Sequence, residues 1–484
     1  MSLKVLFVSV EVSPLAKVGG LADVAASLPK QLTALGHDVR VAMPAYPLAE
    51  AQAEATPVTT LDSFRVSINE WWHKRAFLKT TRHDGFPVWL IGTDEWFPDV
   101  KKSDQIYSPP VDAYLFFSRA VLEACRQMNW IPDVIHCNDW HTGFTPVFMR
   151  QAGSGWDETG VVYTIHNLAY QGEFDIEVLD RAGLPRELFN FHQVEAHGRV
   201  NFLKSGAVFS DFTNTVSERY AEEIQSEEYG CGLQGLMDHL SHHGRLSGIL
   251  NGIDIDEWNP ATDLRLAANY DADHPAAKFK CREALLQELN WDPIPGAPVA
   301  GIVSRVSDQK GMNLLLESEE RIRQMQMQVV IQGLGDPWLT DRFVELQRAH
   351  PRHFRMISKF DVQLAQHIYS GSDLFLMPSS FEPCGLGQLI AMRYGTIPVV
   401  RRTGGLADTV FEGRNGFVFE NRNAAEFTSA LERAHEAYQD PVAWANLIRH
   451  AMTEDHSWSK SASKYVSLYE KAIQSRRKSI TLAS

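Results

Sequence analysis

Two stretches of this chain repeat one another. Gly-Gly-Leu-Ala-Asp occurs at Gly19–Asp23, preceded by Lys17-Val18, and again at Gly404–Asp408, preceded by Thr403. Each copy follows an apolar β-branched run and precedes a helical spacing of apolar residues, so each reads as a turn from strand to helix. Paired glycines there let backbone N–H groups approach an anion at the positive end of the helix dipole, and Lys17 adds a full charge. The alternative for the first copy is an ordinary turn with a solvent-facing lysine. Neither copy shows the G-x-G-x-x-G of a dinucleotide fold. Two anion-binding turns, one in each half of the chain, suit a ligand gripped from both sides, such as a nucleotide sugar.

Two further stretches add charge. Ser304-Arg305-Val306 through Gln309-Lys310-Gly311 places a guanidinium and an ammonium five residues apart at the end of a predicted strand, where ligands of open α/β sheets bind. The planar fork of Arg305 and the point charge of Lys310 could both meet a departing diphosphate, although exposed Arg and Lys are also common on solvated loops. Ser380-Phe381-Glu382-Pro383-Cys384-Gly385-Leu386-Gly387-Gln388 again opens a helix at a strand end. Glu382 could bind sugar hydroxyls or stabilise cationic character at an anomeric carbon, with the N–H groups of Gly385 and Leu386 nearby. Cys384 has no assigned base and reads as a small apolar residue in a tight turn.

The last two stretches, His136-Cys137-Asn138-Asp139-Trp140-His141 and Thr164-Ile165-His166-Asn167-Leu168-Ala169-Tyr170-Gln171-Gly172, are rich in polar side chains just past predicted strands. Three histidines and Asp139 invite a metal reading. They lack the H-x-x-x-H or H-E-x-x-H spacing of a helix-borne site, and the expectation is no metal and no cofactor. His242-His243 reads as a solvated loop. Trp71-Trp72 suggests a stacking platform, but neighbours on a strand point to opposite faces.

The elements that must hold these loops alternate. Strands are predicted at Lys4–Glu11, Val39–Met43, Pro132–His136, Gly160–His166, Pro298–Ser304, Gln328–Gln332, Asp373–Pro378 and Thr396–Val400. Leu21, Val24, Ala25, Leu28 and Leu32 recur at helical spacing, Gly36 supplies a stop, and segments long enough for crossover helices separate the other strands. The fold class is therefore α/β, with two doubly wound Rossmann-like domains. The boundary is expected near Leu250-Asn251-Gly252, giving domains at 1–250 and 251–457. A final helix over Trp458–Ile473, with Tyr465, Leu468, Tyr469 and Ala472 at helical spacing, and a tail after it occupy 458–484.

Composition narrows the partners. The 46 basic and 60 acidic residues give a net charge of −14, which disfavours nucleic acid or anionic membrane as the main partner and leaves room for a neutral sugar polymer. The five cysteines are scattered without a C-x-x-C pair, as in a reducing cytoplasm. The first apolar run lacks a basic n-region, and no apolar run reaches the ~18 residues of a membrane span.

Taken in order, Lys17–Leu21, Asn138–Thr142, His166–Gly172, Leu250–Asp254, Phe381–Leu386 and Thr403–Leu406 resemble the bacterial glycogen synthases and plant starch synthases, from Val5 to about Tyr469. The resemblance implies a GT-B architecture whose domains face one another across a cleft and whose last helix returns to the first domain. It also implies transfer of glucose from ADP-glucose to the non-reducing end of an α-1,4-glucan, with retention and without a metal. By resemblance, Lys17, Gly19, Gly20 and Asp23 lie in the first domain's donor-binding turn, and Arg305 and Lys310 neutralise the diphosphate. Thr403, Gly404 and Gly405 supply backbone donors, and Cys384, Gly385 and Leu386 belong to the substrate-binding turn around Glu382. Glu382 is the active-site carboxylate near the glucosyl ring, Asp139 and His166 are catalytic residues of the first domain, and Asn251 lies on the hinge side of the cleft. Ala22 replaces a glycine of many plant relatives, and Asn138 stands where some bacterial members have His. A transferase using UDP-glucose or another acceptor, and a silent glycan-binding protein, remain open as rivals.

Overall fold

Runs such as Val5–Val8, Val161–Ile165 and Val329–Ile331 lie wholly inside the protein, and strands covered on both faces form parallel sheets whose hydrogen-bond partners must be recruited from distant sequence. The computed structural model describes residues 2–53, 58–69, 71–151 and 155–483. It divides into two units, Met1–Asn251 with Trp458–Ser484, and Gly252–Ser457.

The main sheet of the first unit contains, in chain order, β1 (Lys4–Val8), β2 (Asp38–Pro44), β3 (Val58–Ser67), β4 (His73–His83), β5 (Phe86–Gly92), β6 (Val134–Asn138), β7 (Gly160–Ile165), β8 (Phe212–Thr215) and β9 (Leu246–Gly248). Their spatial order is β9-β8-β7-β6-β1-β2-β5-β4-β3. Pairing is parallel from β9 through β5, and the hairpin β3–β4 completes one edge antiparallel. The chain works outward from β1 through β2, then returns to lay β6 on β1's other side. The gap between β1 and β6 is thus the point where the winding reverses.

The second unit contains β10 (Val299–Val303), β11 (Gln328–Gln332), β12 (Phe354–Ile357), β13 (Leu374–Met377), β14 (Ile397–Arg401) and β15 (Phe417–Phe419). All pairs are parallel, in the order β12-β11-β10-β13-β14-β15. This is the 3-2-1-4-5-6 order of a doubly wound dinucleotide-type sheet, with its reversal between β10 and β13.

The last helix, Trp458–Ala483, belongs to the first unit although the second unit precedes it in the chain. Trp458, Tyr465, Leu468, Tyr469 and Ile473 are buried there, a gross hydrophobic gain on the order of 10 kcal/mol. Where it crosses β7 there is no room for a side chain: a Cβ on Gly160 would lie 2.9 Å from the Ile473 nitrogen. Two tyrosines one turn apart then reach into the sheet. Tyr469 Oη lies 2.8 Å from His136 Nδ1, His136 Nε2 lies 2.6 Å from Thr164 Oγ1, Thr164 donates to Asn214 Oδ1 at 2.7 Å, and Asn214 Nδ2 donates to Tyr465 Oη at 3.0 Å.

Several local expectations change. The His242-His243 pair closes the helix Gln234–His242 rather than lying in a loop. Trp71 and Trp72 precede β4 instead of sharing a strand: Trp71 is 90% exposed, whereas Trp72 meets Trp96 edge-on at 5.6 Å. Among the described residues no helix is long and apolar enough to cross a membrane.

Candidate functional site

In each unit the charged loops leave the carboxyl ends of the two strands that flank the reversal. In the first unit these are β1, which leads to Glu11–Gly20, and β6, which leads to Asp139–Thr142. In the second they are β10, which leads to Ser304–Gly311, and β13, which leads to Pro378–Leu386. At a reversal the connections diverge to opposite faces of the sheet, which opens a crevice lined by strand ends.

The turn before the helix Gly20–Ala34 is already occupied by a carboxyl group, and it is the protein's own. Glu11 Oε2 accepts from the Val18 and Gly19 N–H groups at 2.5 and 2.9 Å. Glu11 is fully buried, and its second oxygen, Oε1, has no hydrogen-bond partner. Burial pushes its pKa up, against the two N–H groups that favour the carboxylate. Lys17 Nζ is paired with Asp23 Oδ1 at 2.6 Å. Gly19 is extended, and a Cβ there would meet nothing within 4 Å. Glu11 escaped the sequence reading because one acid at the end of an apolar run has no pattern, and its partners are backbone groups.

After β6, Asp139 adopts a left-handed backbone (φ 56°), a conformation that non-glycine residues adopt at a cost. Its Oδ1 accepts the His166 N–H at 2.8 Å, and its own N–H donates to Thr164 O at 3.0 Å. The two loops that the sequence marked as polar are thereby joined. Burial drives the Asp139 pKa up to about 7, helped by nearby Glu11 and opposed by the N–H groups of His166 and Asn167. His166 Nε2 lies 2.9 Å from Asn138 Oδ1, and burial holds the ring neutral, with its pKa down to about 3. His141 is stacked on Trp140 at 3.8 Å and on Tyr107 at 4.9 Å, and neither ring nitrogen has a hydrogen-bond partner. The three histidines are thus separately engaged. Among the described residues no group of three His, Cys, Asp or Glu side chains could hold a metal.

In the second unit the two charged loops are stapled together. Lys310 Nζ lies 2.6 Å from Glu382 Oε2, which also accepts the Ser379 hydroxyl at 2.9 Å. The Ser380 N–H donates to Gln309 O at 2.8 Å, and Arg305 donates to Gln309 Oε1 at 3.0 Å. Arg305 is exposed, while Lys310 and Glu382 are nearly covered. Gly311 (φ 72°) is required here, since a Cβ would sit 2.0 Å from Pro378 O.

The second glycine pair serves packing. The Gly405 N–H donates to Glu382 O and Pro383 O at 3.1 and 3.2 Å, and a Cβ on Gly405 would fall 2.1 Å from Cys384 O. Thr403, Gly404 and Gly405 are buried, so this copy buttresses the Glu382 loop, whereas Gly19 is open. Cys384 is also buried. The Gln388 amide braces its carbonyl and that of Gly385, at 3.1 and 3.0 Å, and Gly385 is left-handed (φ 74°). Leu386 caps the helix Gly387–Arg393. Asn251, the last residue of the first unit's long segment, is buried with Oδ1 unpaired.

Residues 4–239 match the family described as starch synthase catalytic domain, and residues 297–437 match glycosyl transferases group 1. The chain is 44% identical to a glycogen synthase of Desulforudis audaxviator, over 98% of this chain and 97% of that one. It is 41% identical to glycogen synthase 2 of Geobacter sulfurreducens, over 98% and 100%. Its structure resembles the catalytic domain of starch synthase IV from Arabidopsis thaliana bound to ADP and acarbose, with TM-score 0.90, 34% identity and coverage of 98% and 100%. A sucrose-phosphate synthase from Thermosynechococcus elongatus shares the fold at TM-score 0.60 and 17% identity, over 99% of both chains.

Proposed function

The chain belongs to the family of bacterial glycogen synthases and plant starch synthases and acts as a GT-B glucosyltransferase of glycogen synthesis, and on that premise we propose its donor, its site and its chemistry. The donor is ADP-glucose, and the acceptor is the non-reducing end of an α-1,4-glucan. The C1–oxygen bond to the diphosphate breaks, the acceptor's 4-hydroxyl oxygen takes the glucosyl group on the same face, and its proton passes to the departing diphosphate. Arg305 and Lys310 stabilise the charge that develops on the leaving group, with no metal in that role. Glu382 stands by the sugar, within reach of Lys310. Lys17 with its glycine turn, Asp139 and His166 are the first unit's contribution. Glu382 is paired with Lys310 and Asp139 accepts the His166 N–H, so neither carboxyl is set free as a nucleophile, which favours front-face substitution over a covalent glucosyl-enzyme. The reaction runs in the cytoplasm, in keeping with five free cysteines.

The observation that carries this reading is the placement of Lys310, Glu382 and Asp139 on loops that leave the strands at the two reversals. Support for the adenine nucleotide comes from the similar starch synthase, whose structure holds ADP. The test is incubation with glycogen and either ADP-glucose or UDP-glucose, with chelator and without added metal, reading nucleotide release and glucose incorporation together. Incorporation from ADP-glucose is the expected result. Preference for UDP-glucose, or dependence on added metal, would overturn the corresponding assignment.

A further inference from the structure

Asn138 ends β6 and is fully buried. Its Nδ2 donates to Val8 O on the neighbouring strand at 3.0 Å and to His136 O at 3.4 Å. Those two carbonyls fix the amide's orientation, because the flipped form would set oxygen against oxygen and strand an NH2 group. Oδ1, an acceptor only, therefore faces His166 Nε2 at 2.9 Å, and that nitrogen must carry the hydrogen. In a neutral ring the other nitrogen, Nδ1, then holds a bare lone pair. No hydrogen bond among the described residues reaches it.

The same logic fixes the histidine behind it. Asn214 Nδ2 donates to Tyr465 Oη and Thr215 O, so its Oδ1 accepts from the Thr164 hydroxyl. That hydroxyl can then only accept from His136 Nε2–H, and Tyr469 donates to His136 Nδ1. The one hydroxyl hydrogen of Thr164 is thus committed to Asn214.

We propose that Asn138 is a positioning residue: it fixes His166 in the Nε2–H tautomer so that Nδ1 is presented as a hydrogen-bond acceptor to a hydroxyl of the transferred sugar. The inference rests on the reading of His166 as a sugar-side residue. It adds a selection rule, since a bare imidazole nitrogen attracts an O–H and repels a phosphate or carboxylate oxygen. A glucosyl donor bearing an anionic group at that position is refused, even though the neighbouring loops are built for a diphosphate.

The test starts with the native chain, labelled with 15N-histidine. Two-bond correlations between ring nitrogens and ring hydrogens report the tautomer, and the His166 signals are identified by their loss in His166→Asn. The expected result is a single Nε2–H form. In Asn138→Ala the ring is expected to populate both tautomers, with kcat down about tenfold, the value of roughly one hydrogen bond, and the donor KM changed less than kcat. A native His166 protonated on Nδ1 overturns the proposal, as does an Asn138→Ala chain that keeps a single Nε2–H form and full kcat. The native spectrum decides alone if the variant does not fold. A native chain with Nε2–H that transfers glucose from no donor defeats the reading of the site, not the positioning by Asn138.

Discussion

Replacing Lys310 with methionine separates what the Lys310–Glu382 pair does for folding from what it does for transfer. The 2.6 Å contact has side chains only 17% and 9% exposed, and Glu382 Oε2 also accepts the Ser379 hydroxyl. Removing the cation from such a pair leaves a poorly solvated carboxylate, at a cost of about 3–5 kcal/mol. The retained Ser379 bond argues for the lower end, about 3 kcal/mol. For a unit of this size 1 kcal/mol moves Tm by roughly 2–4 °C, so the second unit should melt roughly 6–12 °C lower. Glu382→Gln should cost less, about 1 kcal/mol, because the longer Lys310 side chain can turn toward water. The double variant, with both charges gone, should recover about 2 kcal/mol of the Lys310→Met loss. Turnover should not recover with it: each variant lacks a group that acts on developing charge and should lose about 100-fold or more in kcat. Calorimetry of the four chains, with glucose incorporation on the same samples, gives both cycles. A Lys310→Met chain with native Tm and native turnover refutes the argument, and so does a double variant as unstable as the single.

The two glycine turns should respond in opposite ways: Gly19→Ala should leave thermal unfolding unchanged while raising the donor KM, and Gly405→Ala should lower Tm because its methyl group meets Cys384 O at 2.1 Å. His141→Phe should raise Tm by the equivalent of about 1 kcal/mol, since it removes two ring nitrogens buried without partners. His141 is held neutral by burial, with a pKa down to about 3. Its contribution to stability is present above the unfolded value of 6.5 and lost as pH falls below it, so the variant should also flatten acid unfolding. Asp139 works with the opposite sign. Its folded pKa of about 7 exceeds its ordinary value of 3.8, so its contribution is complete below 3.8 and lost as pH rises through 7. Asp139→Asn should remove that slope from unfolding curves measured across the interval.

The parallel strands were legible because burial on both faces leaves near-continuous apolar runs, as in β1, β7 and β11. The charged loops were legible because they must follow such strands. The β3–β4 hairpin was not: it is half solvated, and its register shifts between Thr59 and Leu61 and between Leu61 and Phe64 break the alternation that marks a strand. Among the candidate site residues, Lys17, Asp139, His166, Arg305, Lys310 and Glu382 stood out by charge and spacing. Glu11 and Asn138 did not, because each acts on groups brought from elsewhere: the N–H groups of Val18 and Gly19, the carbonyl of Val8, the ring of His166. The identical Gly-Gly-Leu-Ala-Asp strings mark the other limit. Their different uses depend on whether a carbonyl lies over the second glycine, as Cys384 O does over Gly405, and five residues do not encode their neighbours.

The helix Trp458–Ala483 also has a consequence for the order of events on the ribosome. The second unit is one continuous segment and can close as soon as Ser457 has left the exit tunnel, whereas the first unit, although translated earlier, waits for Tyr465 and Tyr469 to complete the chain of hydrogen bonds through His136, Thr164 and Asn214. The usual sequence, in which the N-terminal domain folds first, is therefore reversed at the last step. A nascent chain arrested before Trp458 would leave the first unit with an uncovered apolar face over β7.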